Sequence, residues 1–196
     1  MSRAASEPIH ATSLVARALE AVGVAYAIGG SLASSVHGEP RSTNDGDLLA
    51  ALGLRHVEAL VAALGADFFA DAPMMRDAIG AGEPFNVIHL PTMFKIDIFV
   101  AGSDELAREE LTRRQRVEIE GELLYVASPE DTVVQKLAWY RKGNEISDRQ
   151  WGDVRGVLRV QLGRLDLDYM HKWARHAGVE DLLDRALAEV ASEPRV

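Results

Sequence analysis

The sequence predicts an α+β fold, in which a mixed β-sheet is followed by a helical part. Short β-type runs are confined to the first two thirds of the chain, whereas from Ser128 onward only helical periodicity remains. This segregation argues against an alternating doubly wound fold. The chain has 196 residues, 47% of them hydrophobic, which suffices for a compact core. We therefore predict a core domain at residues 1–127 and a C-terminal helical region, packed on it, at 128–196.

The first elements follow from local periodicity and glycine stops. Apolar residues recur at helical spacing between Leu14 and Val22, and Gly23 ends that helix. A short apolar strand then reaches the turn Gly29-Gly30-Ser31, which opens a second helix. The predicted spans are a strand at Val24–Ile28, a helix at Leu32–His37, a strand at Asp45–Leu52 and a helix at Arg55–Leu64.

The later elements are two further strands, a hairpin and four helices. Pro91-Thr92 separates the strands, and Gly121 marks the hairpin turn. The strands are predicted at Phe85–Leu90 and Phe94–Val100, the hairpin at Gln115–Glu120 and Glu122–Val126, and the helices at Glu130–Arg141, Asp148–Val160, Asp166–Ala177 and Glu180–Val190.

Composition excludes several classes of function. The net charge of −9 argues against extensive nucleic-acid binding, and the densest basic segment, 108–116, is interleaved with glutamates as on a solvated face. The absence of cysteine excludes disulfide scaffolds, cysteine-bound zinc and thiol nucleophiles. No stretch is apolar enough to cross a membrane, and the first ten residues lack the pattern of a secretory signal. We expect a cytoplasmic protein.

Three aspartates form the strongest chemical pattern. Asp45 and Asp47 stand two positions apart on a predicted strand, so their carboxylates share one face. Asp97 lies in an apolar strand, where an ionised carboxylate requires a partner. If the two strands are neighbours, the three carboxylates form an oxygen-rich cluster suited to Mg²⁺. A hairpin turn at Asp45-Gly46 and an internal salt bridge for Asp97 are the alternative interpretations.

The glycine turn supplies a complementary feature. A glycine turn that opens a helix directs backbone N–H groups and a positive dipole toward an anion. The Ser31 hydroxyl adds a further donor. Gly29, Gly30 and Ser31 are therefore candidate phosphate ligands, although glycine-serine turns are common.

In this order the motifs resemble the nucleotidyltransferase superfamily, which has the polymerase-beta-like fold. The resemblance rests on Gly29-Gly30-Ser31, Arg41-Ser42-Thr43, Asp45-Gly46-Asp47 and the later strand aspartate. It continues through Ser128-Pro129-Glu130-Asp131, Lys136-Leu137 and the segment 148–158, which look like the toxins and antitoxins of bacterial abortive-infection systems.

The resemblance implies a fold, a reaction and roles for individual residues. The fold would be a nucleotidyltransferase-like mixed β-sheet flanked by helices, and the reaction a Mg²⁺-dependent transfer of a nucleoside monophosphate from a triphosphate such as ATP to an acceptor hydroxyl. Asp45, Asp47 and Asp97 would be the catalytic metal ligands, with Asp97 helping to activate the acceptor. Gly29, Gly30, Ser31 and Lys136 would bind the nucleotide, with Arg141 and Asp153 as weaker candidates. For Lys136 the alternative is a solvated lysine on an amphipathic helix.

Gly46 departs from the family pattern, which has a bulky apolar residue between the paired aspartates. A glycine weakens a strand and removes a core anchor, which loosens the positions of its neighbours. This departure favours an alternative function, that of a noncatalytic interaction protein, such as an antitoxin-like partner. A nucleotide-sensing module that binds but does not transfer is a second alternative. The acceptor class, whether protein, RNA or small molecule, does not follow from the sequence.

Overall fold

The computed structural model describes residues 6–193, which form nine α-helices and seven strands. The strands are β1 Tyr26–Ile28, β2 Asp45–Ala50, β3 Phe68–Phe69, β4 Phe85–His89, β5 Phe94–Val100, β6 Gln115–Ile119 and β7 Glu122–Val126. The helices are α1 Glu7–Ala21, α2 Gly30–His37, α3 Val57–Leu64, α4 Ala72–Ala81, α5 Glu105–Arg113, α6 Pro129–Lys142, α7 Asp148–Gln161, α8 Leu167–His176 and α9 Glu180–Ser192. Short 3₁₀ turns at Leu54–His56 and Gly65–Asp67 flank α3.

The chain divides into two compact units. Among the described residues, unit 1 contains 6–29 and 42–127, and unit 2 contains 30–41 and 128–193. Within residues 6–193, no helix has the length and apolar character that a membrane crossing requires.

Unit 1 is built on a seven-stranded mixed sheet in the order β3-β4-β5-β2-β1-β7-β6. The pairs β2–β5 and β1–β7 are parallel, and the other neighbours are antiparallel. All strands of the sheet precede residue 127, as the sequence predicts, and four of the five helices of unit 2 follow it. The predicted α+β architecture with a mixed β-sheet is therefore confirmed.

Three elements of unit 1 are absent from the sequence prediction: β3, α4 and α5. The strand β3 has only two residues, too few for an alternation to be visible. Asp71 caps α4, and Asp104 caps α5 by accepting a hydrogen bond from the Leu106 amide. The solvated face expected at 108–116 is partly wrong, because α5 buries Glu110 and Leu111.

Alternation along β2 and β5 separates two faces of the sheet. Leu48, Ile96 and Ile98 are fully buried, whereas Asp45, Asp47 and Asp97 are partly exposed. Gly46 lies on the buried side, where a Cβ would meet Thr12 of α1. The same strands thus contribute to the core through one face and expose their carboxylates on the other.

Unit 2 is a helical cluster formed by α2 and α6–α9. Its core includes Leu137 of α6, Leu158 of α7, Met170 of α8 and Leu183 of α9. Helix α2 packs on α7 at close range: a Cβ on Gly38 would lie 2.7 Å from the Val157 amide nitrogen. Residues 30–41 therefore lie with the helices of unit 2, whereas the sequence prediction placed a single boundary between 127 and 128.

We expect Gly46→Ile to destabilise the protein by about 1–3 kcal/mol through overpacking. A Cβ at this position would lie 3.0 Å from Thr12 Oγ1, 3.4 Å from Phe94 Cε1 and 3.5 Å from Ile96 Cγ1. The smaller change Gly46→Ala lowers the entropy of the unfolded chain, which stabilises the protein. Whether it raises or lowers the free energy of unfolding overall depends on whether the Thr12 side chain can move away from the new methyl group.

A double-mutant cycle with Thr12→Ala isolates that contact. Thr12 is fully buried, and its hydroxyl finds no hydrogen-bond partner among residues 6–193. Urea unfolding should therefore show that Gly46→Ala is less destabilising in the Thr12→Ala background than in the native one. An identical effect in both backgrounds would contradict the assignment of Thr12 as the limiting neighbour.

Candidate functional site

Three aspartates lie on one face of the unit 1 sheet, which we call the carboxylate face. In the parallel β2–β5 pair, Asp47 is directly opposite Asp97, and Asp45 is opposite Lys95. Side chains of paired residues point to the same side of a sheet, and residues two apart on a strand do so as well. Asp45 lies in the strand β2, so a hairpin turn at Asp45-Gly46 is excluded.

The carboxylate of Asp97 accepts a hydrogen bond from the Lys95 ammonium, with Nζ 2.6 Å from Oδ2. The Lys95 side chain is 45% exposed and that of Asp97 is 23% exposed. The hydrogen bond that Lys95 donates to Asp97, followed by the negative charges of Asp97, Asp45 and Asp47, raises the pKa of Lys95 above its usual value. Asp97 thus has the internal salt bridge considered in the sequence interpretation, and its partner is Lys95, two residues earlier on the same strand.

Asp45 is positioned by Thr43, just before β2. The Thr43 hydroxyl lies 3.0 Å from Asp45 Oδ1 and also 3.0 Å from the Asp45 carbonyl oxygen. A threonine hydroxyl carries one hydrogen, which these two acceptors share. This contact gives the segment Arg41-Ser42-Thr43 a physical role, because it orients the first of the three carboxylates.

The donor chemistry of the carboxylate face suits Mg²⁺, which prefers carboxylate oxygens. The side chains are not gathered as a finished metal site, however: no group of three His, Asp or Glu residues within 6–193 is arranged to hold a metal ion. Lys95 donates to Asp97, one of the three predicted ligands. The metal roles of Asp45, Asp47 and Asp97 stay predictions.

The two glycines of the predicted turn have different structural roles. The Gly29 amide lies 2.8 Å from the Asp47 carbonyl oxygen and so extends the pairing of β1 with β2. That N–H is therefore engaged in the sheet, and the contact of Gly29 with a nucleotide stays a prediction. Gly30 begins α2 with φ of 55°, a conformation that glycine adopts without strain.

In unit 2, Ser31, Arg41, Lys136 and Asp153 form a connected polar group, which we call the Ser31 network. Arg41 Nη2 donates to Ser31 Oγ at 2.6 Å. The same guanidinium donates to both oxygens of Asp153 at 2.7 Å each, and Lys136 Nζ donates to Asp153 Oδ2 at 2.7 Å. Ser31 accepts from Arg41, so its own hydroxyl hydrogen is still a donor to a ligand.

The Ser31 network is largely buried and carries a net positive charge. The side chains of Lys136 and Asp153 are 9% and 6% exposed, and that of Arg41 is 25% exposed. Burial by itself raises the pKa of Asp153, but the hydrogen bonds from Arg41 and Lys136 outweigh it and hold the pKa below its usual value. Arg41 and Lys136 thus both donate to the one carboxylate of Asp153. The interpretation of Lys136 as a solvated surface lysine is wrong.

Sequence reasoning missed Lys95 and the role of Arg41. Lys95 had a usable signal, since its spacing of two from Asp97 places both on one strand face. The Arg41–Asp153 pair joins residues 112 positions apart and had no local signal. Arg141, a weaker candidate, pairs with Asp181 at 2.6 Å on the surface of unit 2.

Two solved structures resemble this chain in fold. A nucleotidyltransferase-like antigenic protein from Paracoccidioides brasiliensis is 16% identical, with 94% of each chain covered and a TM-score of 0.53. The antibiotic-resistance factor ANT(2'')-Ia is 13% identical, with 92% of this chain and 100% of that chain covered and a TM-score of 0.54. No protein-family model and no curated protein sequence matches the chain. At these identities the likeness shows the nucleotidyltransferase-like fold.

We expect Asp153→Asn to destabilise the protein by about 3–5 kcal/mol at neutral pH, because it leaves two largely buried cations without their carboxylate. Asp148→Asn, which removes an exposed carboxylate from the same helix, is the control. Chemical denaturation of each variant gives the free energies of unfolding.

The same variant has a defined pH dependence. A carboxylate whose pKa is lower in the folded state stabilises fully above its unfolded pKa of about 3.9, and this contribution is lost as pH falls through the folded pKa. The difference in the free energy of unfolding between wild type and Asp153→Asn should therefore become smaller below about pH 4. A difference that stays constant from pH 7 to pH 3 would show that the Asp153 pairs contribute nothing to stability.

Proposed function

We propose that the protein is a metal-dependent nucleotidyltransferase, which moves a nucleoside monophosphate from a triphosphate to an acceptor hydroxyl and releases pyrophosphate. The observation that carries the proposal is the β2–β5 register, which aligns Asp47 with Asp97 and puts Asp45 on the same face. The nucleotidyltransferase-like fold supports it. Catalysis of this kind needs positioning and charge neutralisation, not a covalent nucleophile.

Asp45, Asp47 and Asp97 would hold the cation through carboxylate oxygens. A bound Mg²⁺ would neutralise phosphate charge and polarise the reacting phosphoryl group. Asp97, opposite Asp47, would in addition accept the proton of the acceptor hydroxyl. Thr43 would keep Asp45 oriented through its hydroxyl.

The Ser31 network would bind triphosphate oxygens. The Ser31 hydroxyl and the Gly30 backbone would donate hydrogen bonds, and the Arg41 guanidinium, 2.6 Å from Ser31 Oγ, would add positive charge. Lys136 would act at longer range, because its ammonium donates to Asp153. Asp153 would be a positioning residue that aims both cations. A role in a bacterial toxin–antitoxin system, in the cytoplasm, is the setting that we propose from the motif order.

The direct test is transfer of label. We would incubate the protein with Mg²⁺ and each of the four triphosphates carrying an α-³²P label, together with protein, RNA and small-molecule acceptors. We expect label to appear on one acceptor class and to be lost in Asp47→Asn. Absence of transfer with every triphosphate and every acceptor class would contradict the enzyme assignment.

Binding can be measured without knowing the acceptor. Mg²⁺ with the correct triphosphate should raise the melting temperature, since a ligand that binds only the folded state stabilises it. Asp45→Asn combined with Asp47→Asn should abolish this rise while the protein still folds, because both residues are partly exposed. An unchanged rise in the double variant would place the ligand elsewhere.

Ser31→Ala should weaken triphosphate binding about 10-fold, as expected for loss of a hydrogen bond to a charged group. The substitution also removes the acceptor for Arg41 Nη2, so the free energy of unfolding must be measured in parallel. Binding of Mn²⁺ alone is the control, and it should not change. Equal triphosphate affinity in Ser31→Ala and wild type would remove Ser31 from the proposed nucleotide ligands.

The Lys95–Asp97 ion pair favours a second candidate, a noncatalytic interaction protein of the antitoxin-like kind. An ammonium paired with Asp97 stabilises the carboxylate face without metal. Such a protein would transfer no label and show no shift in melting temperature with Mg²⁺ and triphosphate. It would instead form a stable complex with a partner protein.

A further inference from the structure

Lys95 places a positive charge among the three carboxylates. It precedes Asp97 by two residues on β5, lies opposite Asp45 across the β2–β5 pair, and donates to Asp97 at 2.6 Å. The charges of Asp97, Asp45 and Asp47 all act on it and raise its pKa. The carboxylate face therefore carries a cation of its own.

This arrangement has an electrostatic reason. Asp47 and Asp97 are direct neighbours on adjacent strands, and Asp45 is two residues from Asp47. Three carboxylates this close repel one another. An ammonium lowers this repulsion, as a divalent cation would. The Lys95 ammonium and a divalent cation repel each other, so they compete for the same carboxylates.

We propose that Lys95 is an exchangeable internal cation, which pairs with the carboxylate face in the metal-free protein and leaves it when a divalent cation binds. The inference rests on the proposed function, because it takes Asp45, Asp47 and Asp97 as the metal ligands. Lys95 is a positioning residue in this scheme, since it acts through the carboxylates.

The side chain of Lys95 is suited to such an exchange. Its side chain is 45% exposed, so the ammonium can reach solvent without crossing the core. A lysine ammonium is a strongly hydrated point charge on a flexible four-carbon stem, and water replaces its carboxylate partner at low cost. The buried cations of unit 2 differ, because the Lys136 side chain is only 9% exposed.

The exchange has two consequences. Lys95 protects the metal-free fold from repulsion among the carboxylates, and it weakens the binding of a bare divalent ion. A cation that arrives with a triphosphate brings the additional contacts of the phosphates, so it displaces Lys95 more readily than the bare ion does.

The test measures Mn²⁺ affinity by electron paramagnetic resonance or calorimetry. We expect Lys95→Met to bind Mn²⁺ at least about 10-fold more tightly than wild type, which corresponds to about 1.4 kcal/mol. Lys95→Arg keeps a cation and should stay near wild type. Lys172→Met removes an exposed lysine from α8 and controls for the change in net charge.

A second measurement uses the native sequence and does not depend on how the variants fold. Labelling of lysines with an amine-reactive reagent, followed by mass spectrometry, should show increased modification of Lys95 when Mn²⁺ is added. Lys142, which lies on α6 in unit 2, is the internal reference and should not change.

The outcomes separate this inference from the proposed function. Equal Mn²⁺ affinity in wild type and Lys95→Met, with binding lost in Asp47→Asn, would overturn the exchange but leave the metal site. Absence of Mn²⁺ binding in wild type and in Lys95→Met would overturn both. Tighter binding in Lys95→Met, with increased labelling of Lys95 in wild type, supports the exchange.

Discussion

The parallel register of β2 and β5 is the constraint on which the candidate site depends. Because side chains alternate along a strand and paired residues share a face, one register places Asp47 against Asp97 and Asp45 against Lys95. A shift of one residue would send Asp97 into the core and bring Ile96 or Ile98 to the surface. The burial of Ile96 and Ile98 therefore fixes the position of the carboxylates, and the same apolar packing that stabilises unit 1 sets the geometry of its charged face.

The carboxylate face of unit 1 and the Ser31 network of unit 2 have charges of opposite sign. On the carboxylate face of unit 1, negative charge is in excess and one partly exposed lysine offsets part of it. In the Ser31 network of unit 2, positive charge is in excess around one buried aspartate. The carboxylate face offers oxygen ligands of the kind that a divalent cation prefers. The Ser31 network offers N–H and O–H donors of the kind from which phosphate oxygens accept hydrogen bonds. A metal–nucleoside triphosphate carries both, which is the chemical reason for proposing it as the substrate.

Sequence patterns predicted what is local and periodic. Alternation gave β4 and β5 nearly to the residue, and it put Asp45 and Asp47 on one face. The place of Asp97 beside them depended on the strand order, which the structure supplies. The two-residue strand β3 has no period to detect, and α5 was hidden because charged residues outnumber its few buried positions. The Arg41–Asp153 pair and the packing of α2 with the helices of unit 2 depend on contacts across more than 100 residues. Such contacts follow from tertiary packing, which single-sequence periodicity does not encode.

Gly46 shows how a local rule can mislead when the packing is unknown. From sequence, a glycine between two ligand aspartates indicates a weakened strand with a missing anchor. In the folded protein the space beyond Gly46 is already filled, with Thr12, Phe94 and Ile96 within 3.5 Å of where a Cβ would lie. Close packing of this kind restrains the backbone of the strand. Gly46 is therefore closely packed in the core behind the carboxylate face, and its presence does not indicate that the carboxylates are loosely held.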